Sequence, residues 1–140
     1  CCYLVLSDDG RSMRWAAAGH YPPARRRGGK ACHLDQVVGL PLGVRSSASY
    51  QEATARVEPG DVVLLYTDGL IERRGEVIDA GLDRLAAVLG AGPGGPAEAV
   101  VGHAVDALLA GRRRDDDLAV VGIVVQGGAG EGVHIRPRSA

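Results

Sequence analysis

The chain reads as an α+β domain, a mainly antiparallel β-sandwich flanked by helices, on three observations. Its first half alternates short apolar runs with Gly-, Pro- and Asp-rich turns, the signature of successive strands. Its second half changes period, because Leu82, Leu85, Ala86 and Leu89, and then Val100, Val101, Ala104, Val105, Leu108 and Leu109, recur at helical spacing. A last apolar run at 118–125 returns to strand character. Strands, then two helices, then a strand imply a sheet backed by helices.

Residues 2–7 form the first predicted strand, and Ser7-Asp8-Asp9-Gly10 supplies hairpin chemistry. The chain returns as a strand over 11–18 until Gly19-His20-Tyr21-Pro22-Pro23, where two prolines forbid further central pairing. Short strands follow at 24–27 and 31–34, then a loop punctuated by Gly39, Pro41 and Gly43. Residues 49–57 alternate weakly and are expected at a sheet edge. Glu58-Pro59-Gly60-Asp61 is a turn, and 62–67 is the run expected to be most buried. Asp79 is available to cap the first helix, which Gly90 to Gly95 should break. Pro96 suits the start of the second helix, and Gly111 stops it.

The 140 residues suffice for one domain with a core. Residues 1–125 are assigned to that domain and 126–140 to a flexible Gly-rich tail. A net charge of -1 offers no electrostatic case for nucleic acid or an acidic membrane. No apolar run approaches the roughly 20 residues that cross a bilayer, and no signal-peptide pattern is present. Three cysteines, two of them adjacent, suit neither a disulfide framework nor zinc; reduced thiols in a cytoplasmic protein are the simplest account. The opening Cys1-Cys2-Tyr3-Leu4-Val5-Leu6 enters a strand at once, as if cut inside a domain. Such a piece is expected to leave a sheet edge open and to self-associate.

Two acidic sites stand at predicted strand ends. Asp68-Gly69 follows the most apolar strand, and Asp115-Asp116-Asp117 precedes the last one. A carboxylate at a sheet edge is a natural ligand for a hard divalent cation. The competing readings are an ordinary Asp-Gly hairpin turn and, after Arg112 to Arg114, a solvated self-neutralising charge run. Residue types and spacing leave these alternatives open.

Four segments, in order, carry a resemblance: Ala17-Ala18-Gly19-His20-Tyr21-Pro22-Pro23, Gly39-Leu40-Pro41-Leu42-Gly43, the stretch from Pro59-Gly60-Asp61 through Tyr66-Thr67-Asp68-Gly69-Leu70-Ile71-Glu72, and Asp116-Asp117-Leu118-Ala119-Val120-Val121. Together they resemble the C-terminal half of the metal-dependent protein phosphatase family (PPM, type 2C), in its bacterial SpoIIE-like branch, over residues 2–125. The resemblance implies a β-sandwich flanked by helices, with two Mn²⁺ or Mg²⁺ ions at one end. It further implies attack of a metal-activated water on phosphoserine or phosphothreonine, with no protein nucleophile. By position, Asp68 and Asp116 would be metal ligands, with Gly69 and Asp117 in support. Asp115 has no counterpart. His20 would order its loop or touch substrate, the former being favoured; Glu72 would be a surface or helix-start residue, and Arg25 to Arg27 are read as a solvated strand face in preference to an attractor of a phosphorylated partner.

The implied partner is a phosphorylated protein of the anti-sigma-factor-antagonist kind, with sensory domains upstream. Ala17 and Ala119 depart from the family, which usually has Asn and Thr or Ser there. The family's first acidic motif, an Asp with Gly-His-Gly, has no match in these residues. Those departures motivate a second reading, a non-catalytic phosphatase-like module that binds a regulatory partner.

Overall fold

The computed structural model describes residues 1–34, 37–111 and 117–127. The first sheet contains β1 (Cys2–Leu6), β2 (Ser12–Ala18), β5 (Val38–Gly39) and β6 (Ala53–Arg56). One edge of β2 pairs antiparallel with β1, and its other edge is shared by β6, antiparallel, and by the two-residue β5, parallel. The second sheet runs in the order β4 (Lys30–His33), β3 (Ala24–Arg27), β7 (Val62–Tyr66), β8 (Val120–Val124), antiparallel throughout. Helices α1 (Ile78–Ala91) and α2 (Ala97–Leu109) cover the outer face of this second sheet.

Alternation along β7 explains the sandwich. Val62, Leu64 and Tyr66 point to one face, where they meet Leu85 and Leu89 of α1 and Val100, Ala104 and Leu108 of α2. Val63 points the other way, against Met13, Trp15 and Ala17 of β2. A strand apolar on both faces is one that is covered on both, which is why 62–65 is an unbroken hydrophobic run. Gly122 in β8 lies where a Cβ would stand 2.6 Å from Val101 Cγ2, so α2 packs directly on the strand backbone there.

Several boundaries differ from the sequence expectation. Residues 38–39 form a strand inside the predicted loop, because Gly39 lies beside Ala18 in parallel register. The N-cap of α1 is Val77, and Asp79 sits inside the first turn, where its charge favours the helix dipole without capping it. Helix α1 continues through Gly90 to Ala91, and Pro96 precedes α2 as its N-cap. Gly81 lies within α1, where it costs about 1 kcal/mol relative to alanine. It is required because a Cβ there would collide with the Ile71 carbonyl. The proposed tail falls outside the described residues from 128 onward.

The arginine run is not a solvated face. Arg26 is buried, and its Nη1 donates to the carbonyls of Gly92 and Pro93 at 2.9 and 2.7 Å, tying β3 to the end of α1. Arg25 Nη1 and Arg27 Nη2 donate to the Arg56 carbonyl at 3.3 and 3.0 Å, joining β3 to β6 across the two sheets. Arg27 also makes a two-oxygen bridge to buried Asp61, at 2.8 and 2.6 Å. The strand pattern marks positions 25–27 but not their partners, which lie some 30 to 67 residues away along the chain.

Burial alone would raise the Asp61 carboxyl, but the bonds from Arg27 and from the Glu58 N–H reverse this, and the group is held below its usual 3.8. Its contribution is therefore complete above that value and lost as pH falls through the lower folded one. Asp61→Asn is expected to destabilise the fold by about 2 kcal/mol at neutral pH. Denaturant unfolding checks this, and the difference from wild type should shrink below about pH 4.

Candidate functional site

The strand ladder brings the two predicted acidic segments together. Tyr66 and Val120 are the last paired residues of β7 and β8. Thr67 extends the contact, its N–H donating to the Ala119 carbonyl at 3.0 Å. Its hydroxyl donates to the Asp117 carbonyl at 3.0 Å and accepts from the Ala119 N–H at 2.9 Å. One side chain thus staples the residues before β8 to the end of β7, and Asp68 and Asp117 emerge at the same end of the sandwich. Asp116 and Asp115 lie outside the described residues.

Asp68 does not enter a hairpin. It starts a 3₁₀ turn, Asp68–Leu70, whose carbonyl at Asp68 accepts from the Ile71 and Glu72 N–H groups, both at 2.8 Å. Leu70 and Ile71 are buried in the helix-side core, so the chain turns outward and down onto α1 instead of pairing back on β7. The Asp68 side chain is left exposed, with Oδ1 accepting from the Gly69 N–H at 2.9 Å.

A second loop closes on this turn. Tyr21 donates its hydroxyl to Glu72 Oε1 at 2.7 Å, linking residues 19–23 to the end of the 3₁₀ segment. Tyr66 donates to the Pro22 carbonyl at 2.9 Å, and its oxygen lies 3.2 Å from His33 Nδ1. His33 Nε2 donates to the Leu82 carbonyl, so β4, β7, α1 and the loop share one polar junction. His20 is half-buried, and its Nδ1 donates to the Tyr21 carbonyl at 2.8 Å, a bond that shapes the loop locally. Gly19 has φ +60° and donates its N–H to the Gly39 carbonyl. A Cβ at Gly19 would lie 2.6 Å from Pro41 Cγ, so the Gly-His and Gly-Leu-Pro segments are in contact.

Thr67 and Tyr21 were not singled out by sequence reasoning. Thr67 had one visible signal, its place between the apolar strand and Asp68. Tyr21 had none beyond its place in the loop. A hollow at the opposite end of β7 is lined by Arg26, Arg27, Gly28, Glu58 and Gly60, but its guanidinium groups are engaged by Asp61 and by backbone carbonyls.

With this geometry in place, a profile of the family described as Stage II sporulation protein E (SpoIIE) matches residues 1–126. The chain belongs to the SpoIIE family. Its solved neighbours agree in fold. The SpoIIE-family chain is similar to the RsbU and RsbW domains of a Mycobacterium tuberculosis protein, at 24% identity and a TM-score of 0.82. That match covers 92% of this chain and 37% of the other. It is also similar to the phosphatase domain of the cell fate determinant SpoIIE from Bacillus subtilis. There the identity is 13% and the TM-score 0.71, over 93% of this chain and 57% of that one. A manganese-presoaked structure of the same domain gives 16% and 0.64, covering 94% and 59%. The α+β sandwich is therefore the phosphatase-domain fold of this family, and the chain spans 37% to 59% of the length of these relatives.

Two outcomes follow from the site geometry. Gly19→Ala forces a left-handed residue and a contact with Pro41 at once, and should cost about 2 kcal/mol or more in denaturant unfolding. Burial first, then the bond to Glu72 and the charges of Glu72 and Asp68, push the Tyr21 hydroxyl from 10.0 up to about 12. The Tyr21–Glu72 link is therefore complete below pH 10 and lost as pH rises toward 12. Ultraviolet titration of wild type against Tyr21→Phe should show the missing ionisation at the high end of that window.

Proposed function

We propose that this chain is part of a metal-dependent serine/threonine phosphoprotein phosphatase. Its substrate in this reading is a phosphorylated protein, of the anti-sigma-factor-antagonist kind, in the cytoplasm. Asp68 and Asp116 act as ligands to Mn²⁺ or Mg²⁺, with Asp117 and the Gly69 backbone in support. The observation that carries the reading is the Thr67 staple, which holds the Asp68 turn and the Asp117 segment at one end of the β7–β8 ladder. Membership of the SpoIIE family supports the reaction class.

The donor chemistry fits such ions. Asp68 is an exposed carboxylate at a strand end and Asp117 offers oxygen ligands beside it, the donor type that hard divalent cations prefer. Among the described residues no group of three or more His, Cys, Asp or Glu side chains converges, so these residues supply part of a shell. When bound, the cations neutralise phosphoryl charge and acidify water. This chain's own part is positional. Thr67 sets the spacing of the two acidic segments, Gly69 orients the Asp68 carboxylate, and the Tyr21–Glu72 bond closes the loop carrying His20 over the same turn.

A second reading, a phosphatase-like module that binds a regulatory partner, draws on Ala17 and Ala119. Ala17 packs in the inter-sheet core and Ala119 meets Thr67 through its backbone only. Neither contributes a side-chain hydrogen bond.

The test is Mn²⁺-dependent hydrolysis of a phosphoserine peptide by the 140-residue chain and by the complete protein that contains it. The complete protein should turn over, and Asp68→Asn should reduce its rate on the order of 100-fold or more. The 140 residues alone should show little turnover. A complete protein inactive with both Mn²⁺ and Mg²⁺ favours the binding module instead.

A further inference from the structure

The polar junction of β4, β7 and α1 contains more acceptors than a neutral histidine can satisfy. His33 Nε2 lies 2.9 Å from the Leu82 carbonyl, which only accepts, so that nitrogen carries a hydrogen. The other nitrogen, Nδ1, lies 3.2 Å from the Tyr66 oxygen, and that oxygen lies 2.9 Å from the Pro22 carbonyl, a second pure acceptor. Tyr66 has one hydrogen to give. In a neutral ring Nδ1 is a lone pair and competes with the Pro22 carbonyl for that hydrogen. The loser then faces a lone pair on the Tyr66 oxygen, at a site where Tyr66 and Pro22 are both buried. In a charged ring Nδ1 is a donor too. Nε2 then donates to Leu82, Nδ1 to Tyr66, and Tyr66 to Pro22, with no donor or acceptor of the chain left over.

The groups around the ring leave this proton count intact. Burial, and then the charges of Tyr21 and Cys2, hold the Tyr66 hydroxyl above its usual 10.0, so it remains a donor where histidines titrate. From α1, Asp79 and Asp83 are exposed, and Arg84 is engaged by Glu76. Arg26 of β3 is bound to the carbonyls of Gly92 and Pro93. Lys30 and Cys32 of β4 alternate with His33 and are exposed. In the loop, Tyr21 bonds Glu72 and the His20 ring bonds the Tyr21 carbonyl. Asp35 lies outside the described residues.

We propose that His33 is a proton-operated clamp on the 19–23 loop, closed by its imidazolium form acting through Tyr66 on the Pro22 carbonyl. Loss of the proton turns the Tyr66 hydroxyl to Nδ1 and releases that carbonyl. The clamp is therefore complete at low pH and lost as pH rises through the titration of His33. The release is local. Gly19 stays bonded to the Gly39 carbonyl, and the Pro23 carbonyl keeps the Leu34 N–H, because neither bond involves the ring. Tyr21 and Pro22 lie between those anchors, so a proton behind the second sheet sets how the Tyr21–Glu72 link sits beside the Asp68 turn. The clamp does not depend on the phosphatase reading.

Nuclear magnetic resonance on the 140-residue chain tests this with one selective probe. Pro22-Pro23 is the one adjacent proline pair in the sequence, so labelling proline with ¹³C and ¹⁵N gives a single directly bonded carbonyl–nitrogen signal, that of Pro22. Ring ¹⁵N shifts of the four histidines, assigned by substitution, are followed in the same samples as pH is raised until His33 loses its proton. The Pro22 carbonyl should move upfield, as a carbonyl losing a hydrogen bond does, with the same midpoint as His33 Nδ1. In His20→Gln that movement should persist. In Tyr66→Phe the His33 ring should still titrate while the Pro22 signal stays at its released position, and His33→Gln should abolish the movement. Should either of the last two fail to fold, the wild type and His20→Gln still decide. A Pro22 carbonyl that stays fixed while His33 titrates overturns the proposal, as does a His33 ring already neutral at about pH 5. A movement that follows the midpoint of His20 and vanishes in His20→Gln overturns it as well.

Discussion

Strand β7 is paired along both edges and covered on both faces, and the rest of the structure is arranged around that enclosure. Its edges take β3 and β8, its outer face takes α1 and α2, and its inner face takes β2 through Val63. A strand so enclosed has one register available, because a slip of one residue would exchange the helix-facing and sheet-facing side chains. That rigidity is transmitted to its last residues. Thr67 and Asp68 project from a strand whose position is set by two cores at once, so the acidic end of the sandwich has a fixed origin.

The contacts around that end are polar and local. Thr67 holds the segment before β8, Tyr66 holds Pro22, and Tyr21 holds Glu72. Each is a single hydrogen bond, worth on the order of 1 kcal/mol, which is small beside the apolar burial that positions β7. Packing therefore decides where the site is, and the hydrogen bonds decide how its loops sit. The opposite end of β7 is built by other means. There the Arg27–Asp61 bridge and the Arg26 bonds to the end of α1 join elements far apart in sequence, and they hold the turn at Glu58 to Asp61 in which β7 begins.

The flank bounded by β1 and β8, each the last strand of its sheet among the described residues, stands apart from both ends. It exposes apolar residues of the inter-sheet layer, whereas the acidic end exposes carboxylates. The two surfaces involve different elements of the fold.

Much of the fold was legible in the chain itself. Alternation and turn residues marked every strand except the two-residue β5, and helical spacing marked both helices, because those patterns record which face of an element meets a core. The pairing of Asp68-Gly69 with a later acidic segment could be seen as two strand ends, and the motifs in order pointed to the family. What the sequence left open was everything that depends on register and on contacts between distant residues. It could not separate a hairpin from a 3₁₀ turn at Asp68, since Asp-Gly suits both until Leu70 and Ile71 find a core to enter. It read Arg25 to Arg27 as a solvated face, although their partners are carbonyls and a carboxylate brought in from other elements. Only the tertiary structure set Asp68 and Asp117 at one end of a ladder, because their separation along the chain says nothing of which strands become neighbours.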